Sequence, residues 1–450
     1  MRVAALAAVA LAATTLTPNL TPTHAADGVV TAAGIRFLNA DVTVTQGSRL
    51  TFANADVAPH NVVAEARGAT GPLFSSATVT TGQTADVAGV ERLKPSTYTF
   101  VCTLHPSMRG TLTVTNAATA AVVPTPTGAN VPTPTSITVH DGSLYATSYA
   151  AGTVVQMAIL PGGALGAPTP FADGFTSPLG LAFAPDGTLY VADSHAAGGR
   201  TVGRVTAVKN GTRTVVVDGL PNGRHNTNNL LVADGRLYVA NGNSTDDGVN
   251  GGDPEQPLSG TVLSYALPMA KNAKPTVEAR GLRNVYDVAL RPGTSELWFP
   301  TNGPDGLAPW GEDLLHRVDA RKGPADFGFP ACVWKAPLER GQNPAVTTKC
   351  SPGARKPERT LGLHVSANGI AFGPGGAWGN DVYVAEYGSN DPASPAGHKV
   401  VRIPVAADGT TQAPQDVLVG PSPLDIAFGS DGLYVADFAT GAITLLRAVG

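Results

Sequence analysis

The stretch PDGTLYVAD, residues 185–193, joins a turn to a short apolar strand with an aromatic residue at its centre. The same pattern recurs along the chain as DGSLYAT (141–147), ADGRLYVAN (233–241), GTSELWFPT (293–301), GNDVYVAE (379–386) and SDGLYVAD (430–437). The central aromatic residues of the six copies are Tyr145, Tyr190, Tyr238, Trp298, Tyr383 and Tyr434.

Further strand-like runs flank these copies. LGLAFAP, YDVALRP, NGIAFGP and LDIAFGS precede four of them, and runs such as GRVTAV or GTVLSYAL follow. Repeated units of several short strands are typical of a β-propeller, in which each small sheet buries its faces against its neighbours in a ring. Six copies predict a six-bladed β-propeller over residues 137–450; the alternative is an irregular all-β domain.

The sequence before the repeats predicts a second, smaller β domain. Residues 28–116 alternate apolar and polar positions in short runs such as VTVTQGSRLTFAN and GTLTVTN, which is a strand signal, and their length suits a small β-sandwich. Residues 117–136 are rich in Pro, Thr and Ala and lack periodicity, so we predict a semi-rigid linker there. The predicted fold class is therefore all-β.

Composition and charge narrow the functional classes. The 450 residues include 52 Gly and 37 Pro, only 14% are charged, and the formal net charge is −4. With no basic run, no nucleic-acid partner is expected. The apolar run from Val3 to about Ala13 and the small residues near Ala25 predict a signal peptide over 1–25. No other segment reaches the roughly 18 apolar residues of a membrane span, so we expect a secreted or periplasmic protein.

The loop YTFVCTLHPSMRG, residues 98–110, predicts a metal centre. A type 1 copper site needs two imidazoles and a thiolate near one plane, with a weak axial thioether. Cys102, His105 and Met108 supply three of these ligands, and His60, in the upstream stretch ADVAPHNVV, supplies the other imidazole. Of the three cysteines, Cys332 and Cys350 share one loop-rich stretch and are expected to form a disulfide, and metal ligation accounts for Cys102.

Residues 35–115 resemble a cupredoxin, and the short gap between His105 and Met108 is most similar to amicyanin-type proteins. The resemblance covers nearly the whole first domain and includes all four ligand positions. A two-copper centre would need a second Cys in the loop, which this sequence does not have.

The repeats resemble a different family, the soluble glucose and sorbosone dehydrogenases. The resemblance is carried by RNVYDVALRPGTSELWFPTNGPDG, EDLLHRV, FGFPAC, LHVSANGIAF and GHKVVRIPV. It implies a six-bladed propeller that holds pyrroloquinoline quinone (PQQ) and Ca²⁺. It also places Cys332 and Cys350 at a disulfide of the sorbosone-type members.

The resemblance implies a role for several residues of the propeller. His225 falls at the position of the general base, and the backbone carbonyls of Gly303 and Pro304 fall at the calcium site. The expected quinone-binding residues are Arg283, Asn284, His364 and Lys399.

The sequence also departs from the family pattern. Arg224 stands where the glucose enzymes have Asp, residues 285–287 read Val-Tyr-Asp, and residues 312–316 read Glu-Asp-Leu-Leu-His. These departures put the sugar specificity in doubt.

Together the two domains predict an exported quinoprotein dehydrogenase. It would oxidise a sugar or a related alcohol with PQQ and pass electrons one at a time to its own blue copper domain, with an external acceptor beyond. The alternative is a copper-binding electron-transfer protein whose propeller binds a glycan or a partner without catalysis. An oxidase that reduces oxygen would need a histidine-rich copper cluster, and the nine histidines include no His-x-His pair.

Overall fold

The computed structural model describes residues 28–45, 48–68, 71–90, 93, 96–115, 121–270, 273–389 and 396–449. Within these ranges the secondary structure is β throughout, apart from one short 3₁₀ helix, Gly376–Trp378, so the predicted fold class is confirmed. None of the described helical structure is long and apolar enough to cross a membrane. The predicted signal peptide lies outside the described residues.

The first domain is a sandwich of short strands. Its largest sheet runs in the order β1-β3-β8-β7-β4-β9-β10-β2, and β5 pairs with β6. Alternate residues of a strand point to opposite faces, so Leu50 and Phe52 of β3 point into a core that also holds Phe74, Phe100 and Leu112. The strands are β1 Gly28–Ala32, β2 Asp41–Thr45, β3 Leu50–Asn54, β4 Val63–Ala64, β5 Arg67–Gly68, β6 Gly71–Pro72, β7 Ser75–Ser76, β8 Thr84–Ala88, β9 Ser96–Cys102 and β10 His105–Thr115.

The rest of the described chain forms six antiparallel sheets around an axis. The first three blades contain β12 Pro134–His140, β13 Ser143–Ser148, β14 Thr153–Ala158 and β15 Thr169–Ala172; β16 Gly180–Phe183, β17 Leu189–Ala197, β18 Arg200–Lys209 and β19 Thr212–Pro221; and β20 Thr227–Ala233, β21 Arg236–Asn241, β22 Thr261–Ala266 and β23 Thr276–Arg280.

The fourth blade carries an insertion between its third and fourth strands. It contains β24 Asn284–Val285, β25 Ala289–Leu290, β26 Glu296–Asn302, β27 Asp313–Asp319 and β31 Arg359–Gly362. The insertion adds β28 Ala325–Asp326, which extends blade three, and the hairpin β29 Cys332–Lys335 and β30 Glu339–Gln342. A disulfide joins Cys332 to Cys350 within this insertion.

Blade five contains β32 Ala367–Phe372, β33 Val382–Glu386, β34 Lys399–Ile403 and β35 Gln415–Val419. Blade six contains β36 Pro423–Gly429, β37 Gly432–Asp437 and β38 Ala442–Val449, and its fourth strand is β11, Ala121–Asn130. The ring is therefore closed by a strand that precedes all the others in sequence.

The repeat identified in the sequence is the second strand of each blade. Its aromatic residue is buried in all six sheets, between 0% exposed at Trp298 and Tyr434 and 7% at Tyr190. Apolar residues fill the wedges between successive blades, so the core of the ring is divided into six clusters. The predicted six-bladed propeller is confirmed.

The prediction of a linker over 117–136 is wrong for residues 121–136. Ala121 to Pro126 pair antiparallel with Val449 to Thr444, and Pro134 already begins β12. The prolines suggested a linker because Pro cannot donate to a β ladder. Since β11 is the outer strand of its sheet, Pro124 and Pro126 can both turn their nitrogen toward the open edge, while Thr125 between them pairs with Leu445.

The connections divide between the two faces of the ring. The upper face, as we name it, carries the connections between blades and those between the second and third strands of each blade. The lower face carries the remaining turns. Side chains from several blades converge on the upper face, whereas the chain enters β11 at the lower face, because Ala121 pairs with Val449 at the end of β38.

Candidate functional site

The first site lies at one end of the sandwich, where the β9–β10 turn meets the segment before β4. The Sγ of Cys102 lies 3.6 Å from the Nδ1 of His60 and 3.8 Å from the Nδ1 of His105, and the two Nδ1 atoms are 3.2 Å apart. His60 and Cys102 are 0% exposed. In the described ranges, these three residues are the group of His, Cys or acidic side chains whose donor atoms lie within 4.8 Å of one another.

This donor set fits a copper ion. Two donors about 120° apart on bonds of about 2.0–2.3 Å lie roughly 3.5–3.8 Å from each other, close to the separations seen here. Met108, the predicted axial ligand, is 2% exposed and belongs to the apolar core of the sandwich. A thiolate, two imidazoles and a thioether together are the ligands of a type 1 centre.

Hydrogen bonds made by residues around the proposed ligands hold the two ligand loops together. The Nε2 of His60 lies 3.1 Å from Asp56 Oδ2, so the ring donates its proton there and presents Nδ1 to the metal. Asn61 accepts from the backbone N–H of Thr103 at 2.9 Å and donates to the Thr103 hydroxyl at 2.8 Å. We call these paired bonds the Asn61–Thr103 clamp. It ties the residue after His60 to the residue after Cys102.

The second site is a cavity of about 480 Å³ on the upper face of the ring. Blades three to five supply its walls from five separate connections. Its lining residues are His225, Arg283, Asn302, Gly303, Asp305, Asp313, His364, Ser366, Gly388 and Ser389. The structure therefore brings together His225, Arg283, Gly303 and His364, which lie far apart in sequence.

His225 forms one wall, in the connection from β19 to β20. Its Nδ1 lies 2.8 Å from Asn243 Oδ1. Burial, followed by the positive charge of Arg283, lowers the pKa of His225 to about 3. The ring is therefore neutral at pH 7, and with Nδ1 donating to Asn243 its Nε2 carries the lone pair of the ring.

Arg283 is 5% exposed and is held by backbone and carboxylate oxygens. It donates to the backbone oxygen of Asp246 at 2.8 Å, to the Asp246 side chain, and to Asp305 at 3.4 Å. Arg224 pairs with the same two carboxylates. Two arginines and two aspartates therefore form a compensated cluster at the cavity rim.

Asp313 lies at the floor of the cavity; in the sequence it stood out only as part of the 312–316 stretch that departs from the family pattern, with no role assigned to it. Its carboxylate accepts from the backbone N–H of Gly303 at 2.9 Å and of Ala367 at 2.8 Å. Burial raises the pKa of Asp313 to about 6. Gly303 has no room for a side chain, since a Cβ there would lie 1.7 Å from the backbone oxygen of Gly311. Pro304 follows it and is buried.

The connection from β31 to β32 adds His364 and Ser366. Both residues have left-handed backbone conformations, with φ of 56° and 50°. Such conformations are strained for residues other than Gly and are held in place only by their surroundings. Both side chains line the cavity.

Two of the predicted quinone-binding residues lie outside the cavity lining. The Nζ of Lys399 is 2.8 Å from Asp416 Oδ1 and 3.9 Å from Glu386 Oε2. Asn284 supports the wall from behind, because it accepts from Asn228 at 2.9 Å and donates to Asn302 at 2.8 Å.

Comparisons with known proteins agree with this two-part architecture. A family model described as TrAA12-like matches residues 176–424, and a second, described as copper binding proteins of the plastocyanin/azurin family, matches residues 25–115. The ring thus matches one family and the sandwich another. A Borreliella burgdorferi protein, described only as uncharacterized, is 29% identical over 151 residues, which span 32% of this chain and 38% of that protein.

Solved structures share the propeller fold at low sequence identity. An iodide structure of a Trichoderma reesei protein of Carbohydrate-Active Enzymes Family AA12 gives a TM-score of 0.61 at 20% identity, over 73% of this chain and 97% of that one. The holo PQQ domain of a Coprinopsis cinerea pyranose dehydrogenase gives 0.60 at 16% identity, over 72% and 95%. A PQQ-bound aldose sugar dehydrogenase of Streptomyces coelicolor gives 0.54 at 19% identity, over 73% and 98%.

Proposed function

The chain belongs to the TrAA12-like family, and we propose that it is a dehydrogenase that oxidises a sugar or a related alcohol with PQQ and delivers the electrons to its own copper centre. Two proteins of the same fold, the PQQ domain of the Coprinopsis cinerea pyranose dehydrogenase and the PQQ-bound aldose sugar dehydrogenase of Streptomyces coelicolor, support this proposal. Because the sequence predicts a signal peptide, we also propose that the enzyme is exported.

The single observation that carries the proposal is the state of His225. A base that takes the proton of a substrate hydroxyl must be neutral, must lie in the cavity and must have a free nitrogen. His225 meets the first condition because burial and Arg283 hold its pKa at about 3. It meets the others because it lines the cavity while Asn243 engages its Nδ1.

The cavity residues suit an anionic quinone with a divalent cation. The volume of the cavity, about 480 Å³, lies in the usual range for cofactor pockets. Arg283 supplies positive charge toward carboxylates. We propose that the carbonyls of Gly303, which lines the cavity beside Asp305 and Asp313, and of Pro304, which follows it, supply oxygen ligands for Ca²⁺. PQQ, when bound, would supply the hydride acceptor that the side chains of the chain cannot provide.

The copper centre suits the next step. Its buried His60 and Cys102 keep a fixed arrangement, and a constrained type 1 geometry lets copper change oxidation state with little rearrangement. Because re-oxidation of a reduced quinone would release two electrons and one copper accepts one, the copper would have to be reduced twice in each turnover and re-oxidised each time by an external acceptor. The fused chain keeps donor and acceptor at a high effective concentration.

A second candidate is a propeller that binds a glycan or a partner without catalysis. The observation that favours it is that Asp246 and Asp305 already form ion pairs with Arg283 and so neutralise its positive charge. The carboxylates of a quinone would have to compete with these two side chains.

The test uses the full copper-loaded chain. PQQ, Ca²⁺ and a panel of sugars and alcohols are added while the blue thiolate–copper absorption is recorded. We expect bleaching that requires PQQ, Ca²⁺ and one class of substrate. His225→Ala should slow it by about 10²- to 10⁴-fold, the usual contribution of a general base.

The matched control is His140→Ala, which removes a histidine from the lower face and should leave bleaching unchanged. A blue protein that binds PQQ but never bleaches would favour the second candidate. Bleaching that survives in His225→Ala would remove His225 from the reaction.

A further inference from the structure

We propose that Glu255 is a positioning residue for His225 and acts through Asn243. This inference rests on the proposed function, since it gives His225 the role of base. The three residues are drawn from the β19–β20 connection and from the long loop between β21 and β22. They form one chain of hydrogen bonds that leads away from the cavity.

The amide of Asn243 can point only one way. Its Nδ2 donates to Glu255 Oε1 at 2.7 Å and to the backbone oxygen of Thr245 at 2.8 Å. An ionised carboxylate and a backbone carbonyl only accept hydrogen bonds, so the NH₂ group must face them. The Oδ1 of Asn243 therefore faces His225 as an acceptor.

Glu255 is itself fixed by the loop that it organises. Its Oε2 accepts from the backbone N–H of Ser244 at 3.1 Å, and its Oε1 accepts from the backbone N–H of Thr245 at 3.1 Å and from the Thr245 hydroxyl. With Asn243, four donors meet this one carboxylate. An ion that accepts several hydrogen bonds holds its donors more firmly than a neutral amide does.

The consequence is a single tautomer of His225. Asn243 presents two acceptors to His225 Nδ1, its Oδ1 at 2.8 Å and its backbone oxygen at 3.2 Å, so the His225 proton stays on Nδ1 and the lone pair stays on Nε2. Arg283 and Arg224 are the charged groups that act on the ring, and they are paired with Asp246 and Asp305. These arginines disfavour protonation of the ring, but they cannot select one nitrogen over the other.

Glu255→Gln weakens this selection without changing the size of the side chain. Gln can present an NH₂ group to Asn243, which favours reversal of the Asn243 amide so that it donates to His225 Nδ1. The Thr245 carbonyl, which accepts from Asn243 Nδ2 at 2.8 Å, opposes this reversal, so the variant should hold both orientations. In the reversed fraction the His225 proton moves to Nε2, where it blocks the base. A residue that merely supported the loop would not move this proton.

The first readout does not depend on activity. Full-length protein without PQQ is labelled with ¹⁵N-histidine, His225 is assigned from its disappearance in His225→Gln, and its tautomer is read from the two ring nitrogen shifts at pH 7. The wild type should show the Nδ1–H form, and Glu255→Gln should show a mixture of the Nδ1–H and Nε2–H forms. Asp253→Asn, which removes an exposed carboxylate from the same loop, is the matched control and should match the wild type.

The second readout is kinetic. Glu255→Gln should lower kcat by about 2- to 10-fold with little change in KM, because a base in the wrong tautomer fails in the chemical step rather than in binding. Glu255→Asp, which keeps the charge, should recover part of the rate. Glu255→Ala, which removes the carboxylate, is the test variant if Glu255→Gln does not fold.

The outcomes separate the two proposals. An unchanged Nδ1–H tautomer in Glu255→Gln overturns the role of Glu255, whatever the activity. If the tautomer changes in Glu255→Gln but the protein never oxidises a sugar, the role of Glu255 is supported and the proposed function is wrong.

Discussion

The two sites of this molecule are assembled in opposite ways. The proposed copper ligands come from two loops of one small sandwich, and the Asn61–Thr103 clamp joins those loops directly. The propeller cavity takes His225, Arg283 and His364 from different blades, and each is fixed by contacts of its own. A compact site depends on a few local bonds, whereas a distributed site depends on the whole ring.

The largest expected effect tests whether the two sites are independent. Cys102→Ser replaces the thiolate that gives type 1 copper its blue colour, so that absorption should be lost completely. Reduction of an added dye by the propeller, with PQQ and substrate, should persist because no residue of the cavity changes. The copper absorption and the rate of dye reduction are both measured on the same sample.

Loss of dye reduction in Cys102→Ser would break the comparison, since it would mean that the cavity needs an intact copper domain. Cys102→Ala is the companion variant. It separates the loss of the thiolate from any new coordination by the serine oxygen.

A second prediction concerns buried acids, which the propeller contains and which make its stability depend on pH. Glu386 is 1% exposed, its Oε2 lacks a hydrogen-bond partner among the described residues, and burial raises its pKa to about 8. A raised folded pKa contributes stability below the unfolded value, and that stability is lost as the pH rises through about 8.

Glu386→Gln cannot ionise, so it should avoid this loss. Between pH 5 and pH 8.5 the free energy of unfolding of the wild type should fall relative to the variant by on the order of 3 kcal/mol. Urea unfolding of the propeller at the two pH values measures the difference. Glu339→Gln, at an exposed position, is the control, and parallel pH profiles for wild type and Glu386→Gln would refute the prediction.

The smallest effect sharpens the comparison at the copper site. Asn61→Ala removes the clamp between the ligand loops and should lower the free energy of unfolding of the sandwich by about 1–2 kcal/mol. Thermal unfolding followed by the copper absorption reports this transition alone. Thr97→Val, which removes an exposed cross-strand hydroxyl contact with Thr113, should have less effect.

The same contrast explains how much could be predicted from the sequence. The copper ligands could be proposed from the sequence because Cys102, His105 and Met108 have a fixed spacing on one turn. The six blades were readable because each repeats one strand with one buried aromatic residue. The first signal is a local spacing within one loop, and the second is a local strand pattern that recurs six times.

What the sequence missed is what the ring brings together. Asp313 and Glu386 are ordinary acidic residues until the blades bury them, and no spacing relates Asn243 or Glu255 to His225. Lys399 was expected at the quinone because of its neighbours in sequence, but its side chain turns to Asp416. The supposed linker was misread because proline-rich sequence can also form an edge strand.

The strand that closes the ring also limits where the copper can travel. Only six residue steps separate Thr115, the end of β10, from Ala121, the start of β11, and such a segment spans at most about 20 Å. It leads to the lower face, while the cavity opens on the upper face. The two faces are about 23 Å apart, the seven residue steps of β38 between Val449 and Ala442, which pair with Ala121 and Asn130. The proposed copper ligands lie at the far end of the β9–β10 hairpin, where Cys102 is six residue steps, or about 20 Å, from Ser96, the partner of Val114. The segment and the sandwich together can span the height of the ring, so the copper would approach the cavity with the metal end of the sandwich turned toward the upper face.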